Sequence, residues 1–215
     1  MNNDLMFSSQ DQTWETRDEC FNQIQDYVGY EFTLDCCAEK ATAKVSRLFT
    51  KEDDMFREDL DWGFDAGQFA GGYHKSQVWM NPEYSRSQPK FVKEVISRIE
   101  KQQVSDAAVL IPARCDTNLF HNIILPKASC ITFYEGRLIF GGDSYWEWVW
   151  EQPTMKLING TDKENKLYGK IGKFNAAPFP SMIVEFTEDS VLGLGNDLSY
   201  PKIATLKAPK FKYKS

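Results

Sequence analysis

An open α/β sheet whose final strands turn antiparallel is the fold class predicted, and three observations predict it. Short apolar runs of strand character alternate with segments whose apolar residues recur at helical spacing. Three of those runs end on polar residues, Asp35, Asn81 and Arg114, as strands of such sheets do where a ligand cleft opens. Glu135-Gly136, set between Ser129–Tyr134 and Arg137–Phe140, is a hairpin signal late in the chain. The 215 residues, 42% hydrophobic and 14% aromatic, suffice for one substantial domain with a proper core and argue against disorder.

The elements follow in order. Thr16-Arg-Asp-Glu19 has capping-box spacing, and Cys20, Phe21, Ile24, Tyr27 and Val28 recur at helical spacing behind it, so a first helix starts near residue 17 and ends at Gly29. Glu31–Asp35 is a short strand with Asp35 at its carboxyl end. Residues 53–77 carry no clear period, and Gly67–Gly72 is a loop. Gln77–Met80 is a brief apolar strand running into Asn81-Pro82. Phe91, Val92, Val95, Ile96 and Ile99 set a second helix, Asp106–Ile111 a buried-type strand, and Thr117–Ile124 a third helix. Asp35, Asn81 and Arg114 then share one cleft, unless polar residues fall at these strand ends by chance.

Composition narrows the function classes. No run of about 18 apolar residues occurs, and Met1-Asn-Asn-Asp-Leu5 lacks the regions of a signal peptide, which predicts a soluble intracellular chain. Five cysteines without a C-x-x-C pair, and two histidines, indicate neither a disulfide framework nor a zinc site. The formal charge of −6 is unevenly spread: residues 1–66 hold 16 acidic and 6 basic side chains, whereas Lys202, Lys207, Lys210, Lys212 and Lys214 follow Leu198 with no acid among them. That tail, with Phe211 and Tyr213 between lysines, is either a basic arm for a phosphate backbone or a solvated terminus.

Trp79–Arg86 is the most informative stretch. The side-chain oxygen of Asn81 and the backbone carbonyl of Pro82 can accept both protons of an exocyclic amino group, while the ring of Tyr84 stacks on the heterocycle, a combination suited to an extrahelical adenine. Asn-Pro is equally a turn starter, and Tyr84 equally a core aromatic.

Eight segments in one order decide further. Trp14-Glu-Thr16, Leu34-Asp-Cys-Cys-Ala38, Phe49-Thr-Lys-Glu-Asp-Asp54, Val78-Trp-Met-Asn-Pro-Glu-Tyr-Ser-Arg86, Ile111-Pro-Ala-Arg-Cys-Asp-Thr117, Phe120-His121, Gly136-Arg-Leu138 and Ala177-Pro-Phe-Pro-Ser181 together resemble the phage-type, Dam-like DNA N6-adenine methyltransferases over roughly residues 14–186. The resemblance implies S-adenosylmethionine-dependent methylation of adenine N6 in double-stranded DNA, after base flipping, on a Rossmann-like methyltransferase fold in the bacterial cytoplasm, without a metal. It implies that Trp14 and Thr16 border the cofactor pocket, that Asp35 sits at the first cofactor-binding strand, and that Asp53 or Asp54 contacts the adenosyl part. Asn81, Pro82 and Tyr84 form the amino-acceptor and stacking set. Arg86, Arg114, Trp148 and Lys210 are the side chains expected to meet DNA.

Three departures from the family pattern each replace a proline: Thr16-Arg17 stands for Thr-Pro, Asp35-Cys36 for Asp-Pro, and Pro82-Glu83 for Pro-Pro. Each restores a backbone N–H and frees φ, so looser loops are expected. Glu83 also sets a carboxylate beside the base pocket. It favours the alternative of a catalytically weakened or inactive homologue that binds DNA or cofactor in phage–host conflict, whereas intact Asn81 and Tyr84 favour the working enzyme. A methyltransferase for RNA or small molecules is a third reading, disfavoured because no RNA-binding domain is recognisable.

The methyltransferase domain is expected over 14–186, with insertions at about 59–76 and 143–175, and a C-terminal extension with a basic tail over 187–215. The second insertion contains Tyr145-Trp-Glu-Trp-Val-Trp150, whose period-2 spacing puts Trp146, Trp148 and Trp150 on one face of a strand, either as a DNA-recognition element beside Lys156, Lys163, Lys166, Lys170 and Lys173 or as packing. His121 is read as a packed or surface histidine, and Cys36-Cys37 as small residues lining a pocket. Salt-sensitive DNA binding is expected to centre on residues 150–215.

Overall fold

The computed structural model describes residues 14–65, 72–156, 161–194, 201–211 and 213. Most of the Gly-rich 67–72 segment, with Lys212 and Lys214, lies outside the described residues. In chain order the elements are α1 (Asp18–Val28), β1 (Leu34–Asp35), β2 (Phe64–Asp65), β3 (Tyr73–His74), β4 (Ser76–Met80), α2 (Gln88–Glu100), β5 (Val104–Pro112), a π-helical turn (Phe120–Ile124) running into α3 (Leu125–Lys127), β6 (Cys130–Glu135), α4 (Asp143–Glu151), β7 (Thr154–Lys156), β8 (Asp162–Glu164), β9 (Ser181–Thr187), α5 (Glu188–Leu192) and β10 (Lys202–Lys207).

Six strands form the central sheet in the order β1-β4-β5-β9-β6-β10, while β2-β3 and β7-β8 are separate two-stranded ribbons. β1, β4 and β5 run parallel, β9 is antiparallel to both β5 and β6, and β10 is parallel to β6. Mixed α/β architecture around a mostly parallel sheet is therefore as expected. The late hairpin is not. Gly136 turns the chain at φ 93°, but residues 137–140 leave the sheet, because both edges of β6 are already taken by β9 and β10. The antiparallel strand comes instead from Ser181–Thr187.

Both faces of the sheet are buried, which explains why its central strands are nearly continuous apolar runs. Alternation sorts their side chains: Val78, Met80, Val109, Ile111, Val184 and Phe186 join one cluster with Val92, Val95 and Ile99 of α2. Trp79, Ala108, Leu110 and Ile183 join the other with Cys20, Phe21 and Ile24 of α1. Gly29 ends α1 at φ 79°, a left-handed conformation that glycine adopts without a Cβ clash. The capping box at its start does not form: the helix begins one residue later than its spacing requires, with Arg17 as N-cap, and a guanidinium has no acceptor to offer the helix N–H groups. The third helix is short and begins in a π turn, opened by the Thr117 hydroxyl accepting the Phe120 N–H at 3.2 Å.

The tryptophan segment is a helix. In α4, Trp146, Val149 and Trp150 point inward against Leu167 and Phe174, as i, i+3 and i+4 positions do, whereas Trp148 is 48% exposed. The Trp146 indole N–H donates to the Phe140 carbonyl at 2.9 Å and that of Trp150 to the Lys173 carbonyl at 2.7 Å, so two of the three rings are fixed by the core. The tail is tied down too. β10 extends the sheet, Phe211 lies under the Arg17 guanidinium, and the Tyr213 ring packs on Trp150 while its hydroxyl donates to Glu147.

Candidate active site

The parallel strands deliver their carboxyl ends side by side. Asp35 pairs with Trp79 across the β1–β4 ladder and Met80 pairs with Val109, so Asn81 emerges between the loops that follow β1 and β5. Its carboxamide makes three hydrogen bonds. The amide nitrogen donates to the Trp14 carbonyl and, at 3.0 Å, to the Thr16 hydroxyl; the oxygen accepts the Tyr84 hydroxyl at 2.8 Å. Two acceptors on the nitrogen leave one orientation, with the oxygen toward Tyr84. Trp14, Thr16, Asn81 and Tyr84, separated by up to 70 residues in sequence, are thereby one unit.

Tyr84 is buried, 6% exposed, and burial pushes its phenol well above the ordinary value. Trp14 lies nearly parallel to its ring at 6.3 Å between centroids, and Phe179 and Phe140 approach it edge-on at 5.2 and 6.1 Å. The free stacking face expected of Tyr84 is thus covered by its own chain. Neither Phe140, at the end of the hairpin signal, nor Phe179 carried a site signal of its own in the sequence. Phe179 lay within the Ala177–Ser181 motif, and its aromatic character was the available signal.

Asp35 is 3% exposed. Its carboxylate accepts the backbone N–H groups of Cys37 (3.4 Å) and Lys44 (3.1 Å), which folds the loop after β1 back over the strand end, while burial, the larger effect, raises its pKa. The loop is laced to residues 47–49 through Asp35 N–H to the Arg47 carbonyl, Phe49 N–H to the Asp35 carbonyl and Ala38 N–H to the Phe49 carbonyl. Cys36 and Cys37 are free thiols there. Asp53 follows directly: the Thr50 backbone N–H and hydroxyl donate to it at 2.8 and 2.9 Å and hold its carboxyl below the usual range. Asp54 is exposed with φ 48°, a conformation Asp tolerates better than most residues. Its carboxylate accepts the local Phe56 N–H, and its carbonyl the Arg57 N–H.

Hydrogen bonds stand at or beside the three positions where the family pattern has proline. Arg17 is buried, donating to the Gly141 carbonyl at 2.9 Å and to Asp143 at 2.6 Å, so tertiary bonds take over from ring rigidity. The Cys36 N–H, which proline would lack, donates to the Trp79 carbonyl at 3.2 Å. Glu83 is exposed and accepts the Ser85 hydroxyl at 2.6 Å. Glu15, overlooked in the sequence, accepts the Gly142 N–H at 2.8 Å and fastens the Trp14–Thr16 segment to the turn before α4.

Arg86 and Arg114 are exposed on the rim of one cavity of about 280 Å³, floored by Ile111, Leu119 and Met182. Trp148 and Lys210 are exposed on α4 and after β10; neither lines that cavity. Among the described residues no group of three His, Cys, Asp or Glu side chains could hold a metal ion, and no helix is long and apolar enough to cross a membrane.

Over residues 4–169, most of its length, the chain matches the family model described as DNA N-6-adenine-methyltransferase (Dam). Neither a curated protein nor a solved structure matches it.

Proposed function

Because the chain belongs to the DNA N-6-adenine-methyltransferase (Dam) family, we propose that it methylates adenine N6 in double-stranded DNA, from S-adenosylmethionine, on a Rossmann-like sheet. The observation that carries this reading is the locked carboxamide of Asn81 at the end of β4.

Carbonyl and carboxamide oxygens have two lone pairs, so Asn81 Oδ1 keeps one after accepting the Tyr84 hydroxyl. The Pro82 carbonyl accepts no hydrogen bond from the described residues. These two oxygens accept the two protons of the exocyclic amine, which draws its lone pair away from the ring and toward the methyl donor. The flipped base stacks on Tyr84, and Trp14 gives way to admit it. Phe140 and Phe179 keep that pocket poor in water.

S-Adenosylmethionine supplies an electrophilic methyl group on a sulfonium. The acceptors assigned to such a cation are the Trp14 carbonyl and the Thr16 hydroxyl, which meet Asn81 at the end of β4, and the Asp53 carboxylate, held ionised by the Thr50 N–H and hydroxyl. Asp35 acts by shaping the loop after β1. Asp54, turned to solvent, is assigned only the outer edge of the site.

Glu83 favours a second reading, a weakened homologue that retains DNA or cofactor binding. Its bond to Ser85 draws the carboxylate into its own turn, which supports the working enzyme. Duplex DNA incubated with labelled S-adenosylmethionine, then digested to nucleosides for mass spectrometry, separates the two. Wild type yields N6-methyladenine, and Asn81→Ala lowers the yield at least about a hundredfold, the scale of a misplaced reacting group. Binding without product refutes methyl transfer and establishes the second reading. Glu83→Pro is expected to raise the yield; an unchanged yield shows the substitution to be neutral.

A further inference from the structure

We propose that the cavity at the carboxyl ends of β4 and β5 is a phosphodiester site, in which Arg86, Arg114 and Gln88 hold one phosphate of the substrate strand next to the flipped nucleotide. The proposal rests on the DNA-methylation reading and adds a binding subsite to it.

Three independent features converge on this cavity. Arg86 and Arg114 both line it, and neither guanidinium bonds to an oxygen of the described residues. Arg17, Arg47, Arg57 and Arg98 are each tied to protein oxygens; Arg137, exposed like Arg86 and Arg114, makes no such bond among the described residues either but does not line the cavity. Gln88 lines it too, is only 8% exposed, and its buried amide nitrogen has no acceptor. Buried amide N–H groups nearly always have a partner, so this nitrogen is left free to pair with a ligand oxygen once the Gln88 carboxamide turns toward the cavity. The cavity wall contains no carboxylate.

The chemistry selects an anion with several acceptor oxygens. Two guanidinium forks carry donors only and the carboxamide adds its N–H groups, and the apolar floor excludes water and so strengthens their attraction for charge. Ser85 and Arg86 directly follow Tyr84, and Ser85 also lines the cavity, so a phosphate here belongs to the strand whose base reaches Asn81. A phosphodiester bears one charge and fits a pocket open on one side.

The test is duplex DNA binding followed by fluorescence anisotropy across a salt series, with full-length wild type and the Arg86→Gln/Arg114→Gln variant. Each phosphate contact contributes about 0.9 to the slope of log affinity against log salt. Both arginines engaging one phosphate lowers the slope by about 1 in the double variant, and affinity at moderate salt falls about tenfold or more. Both side chains are exposed, so the melting temperature and S-adenosylmethionine affinity stay at wild-type values, which separates this outcome from misfolding. Gln88→Leu weakens binding several-fold with the slope unchanged. An unchanged slope and affinity in the double variant overturns the proposal. Inorganic phosphate distinguishes the source: thermal stabilisation of wild type, and not the variant, by low millimolar phosphate without any loss of DNA affinity in the variant identifies a free-phosphate site and also overturns it. A lowered slope in a protein that makes no N6-methyladenine leaves the phosphate site standing while the methyl-transfer reading falls.

Discussion

Asp35 stands at the strand end that the pattern marks, with surroundings that the pattern does not show. Its position at a strand end was legible, because an acid closing an apolar run marks where the sheet stops. Its burial and the Lys44 N–H donor were not, since they depend on the return of residues 44–49 over the strand. Burial raises its pKa, so the folded state holds the proton to higher pH than the unfolded chain does. Stability from this group is unaffected well below about pH 4, falls as pH rises from there through the raised value, and is level above it. Urea unfolding of wild type and Asp35→Asn as a function of pH checks this: the stability difference should slope downward over that window. A flat difference shows that Asp35 titrates at its ordinary value. Asn81 follows the same pattern. Its strand-end position and acceptor chemistry were legible, whereas its bonds to Trp14 and Thr16 join segments that only the folded chain brings together.

At the level of elements, α4 separates local periodicity from packing. Tryptophans at 146, 148 and 150 alternate as in a strand, yet 146 and 150 are also i and i+4 on a helix, and the sequence satisfies both periods. The third cluster selects the helix, because only that geometry brings Trp146 and Trp150 together onto Phe174. The variants should differ accordingly. Trp150→Ala costs about 3–5 kcal/mol of stability, as large-to-small core changes do. Trp148→Ala changes stability by about 0.5 kcal/mol or less, and weakens DNA binding by about 1–3 kcal/mol if its ring stacks on a base. Thermal melts and anisotropy titrations of the pair measure both. Equal destabilisation by the two changes would contradict the burial pattern. The missed hairpin has a similar origin: Glu135-Gly136 does turn, but strand pairing needs a free edge, and β6 has none.

Across the whole molecule, charge follows the architecture. The acidic excess of the described residues 14–65 lies on and around α1 and the loops after β1, while Lys202, Lys207 and Lys210 are exposed on β10 and just beyond it. β10 is a sheet edge, so truncating the tail before it would remove packing along with charge. Replacing the three lysines by glutamine is the cleaner change. It should lower the salt slope of DNA binding by about 0.9 for each lysine that meets a phosphate, with melting temperature retained. An unchanged slope would leave these lysines as solvated edge residues. The sequence by itself determined the family, the α/β class and the succession of parallel strands, because strand period, strand-end residues and ordered motifs are local properties of the chain. Tertiary structure alone decided that β9 supplies the reversed strand, that α4 is a helix, that β10 closes the sheet edge and that Trp14 covers Tyr84. Each of these depends on which surfaces remain free once the others have packed, and that competition is not written in any local stretch.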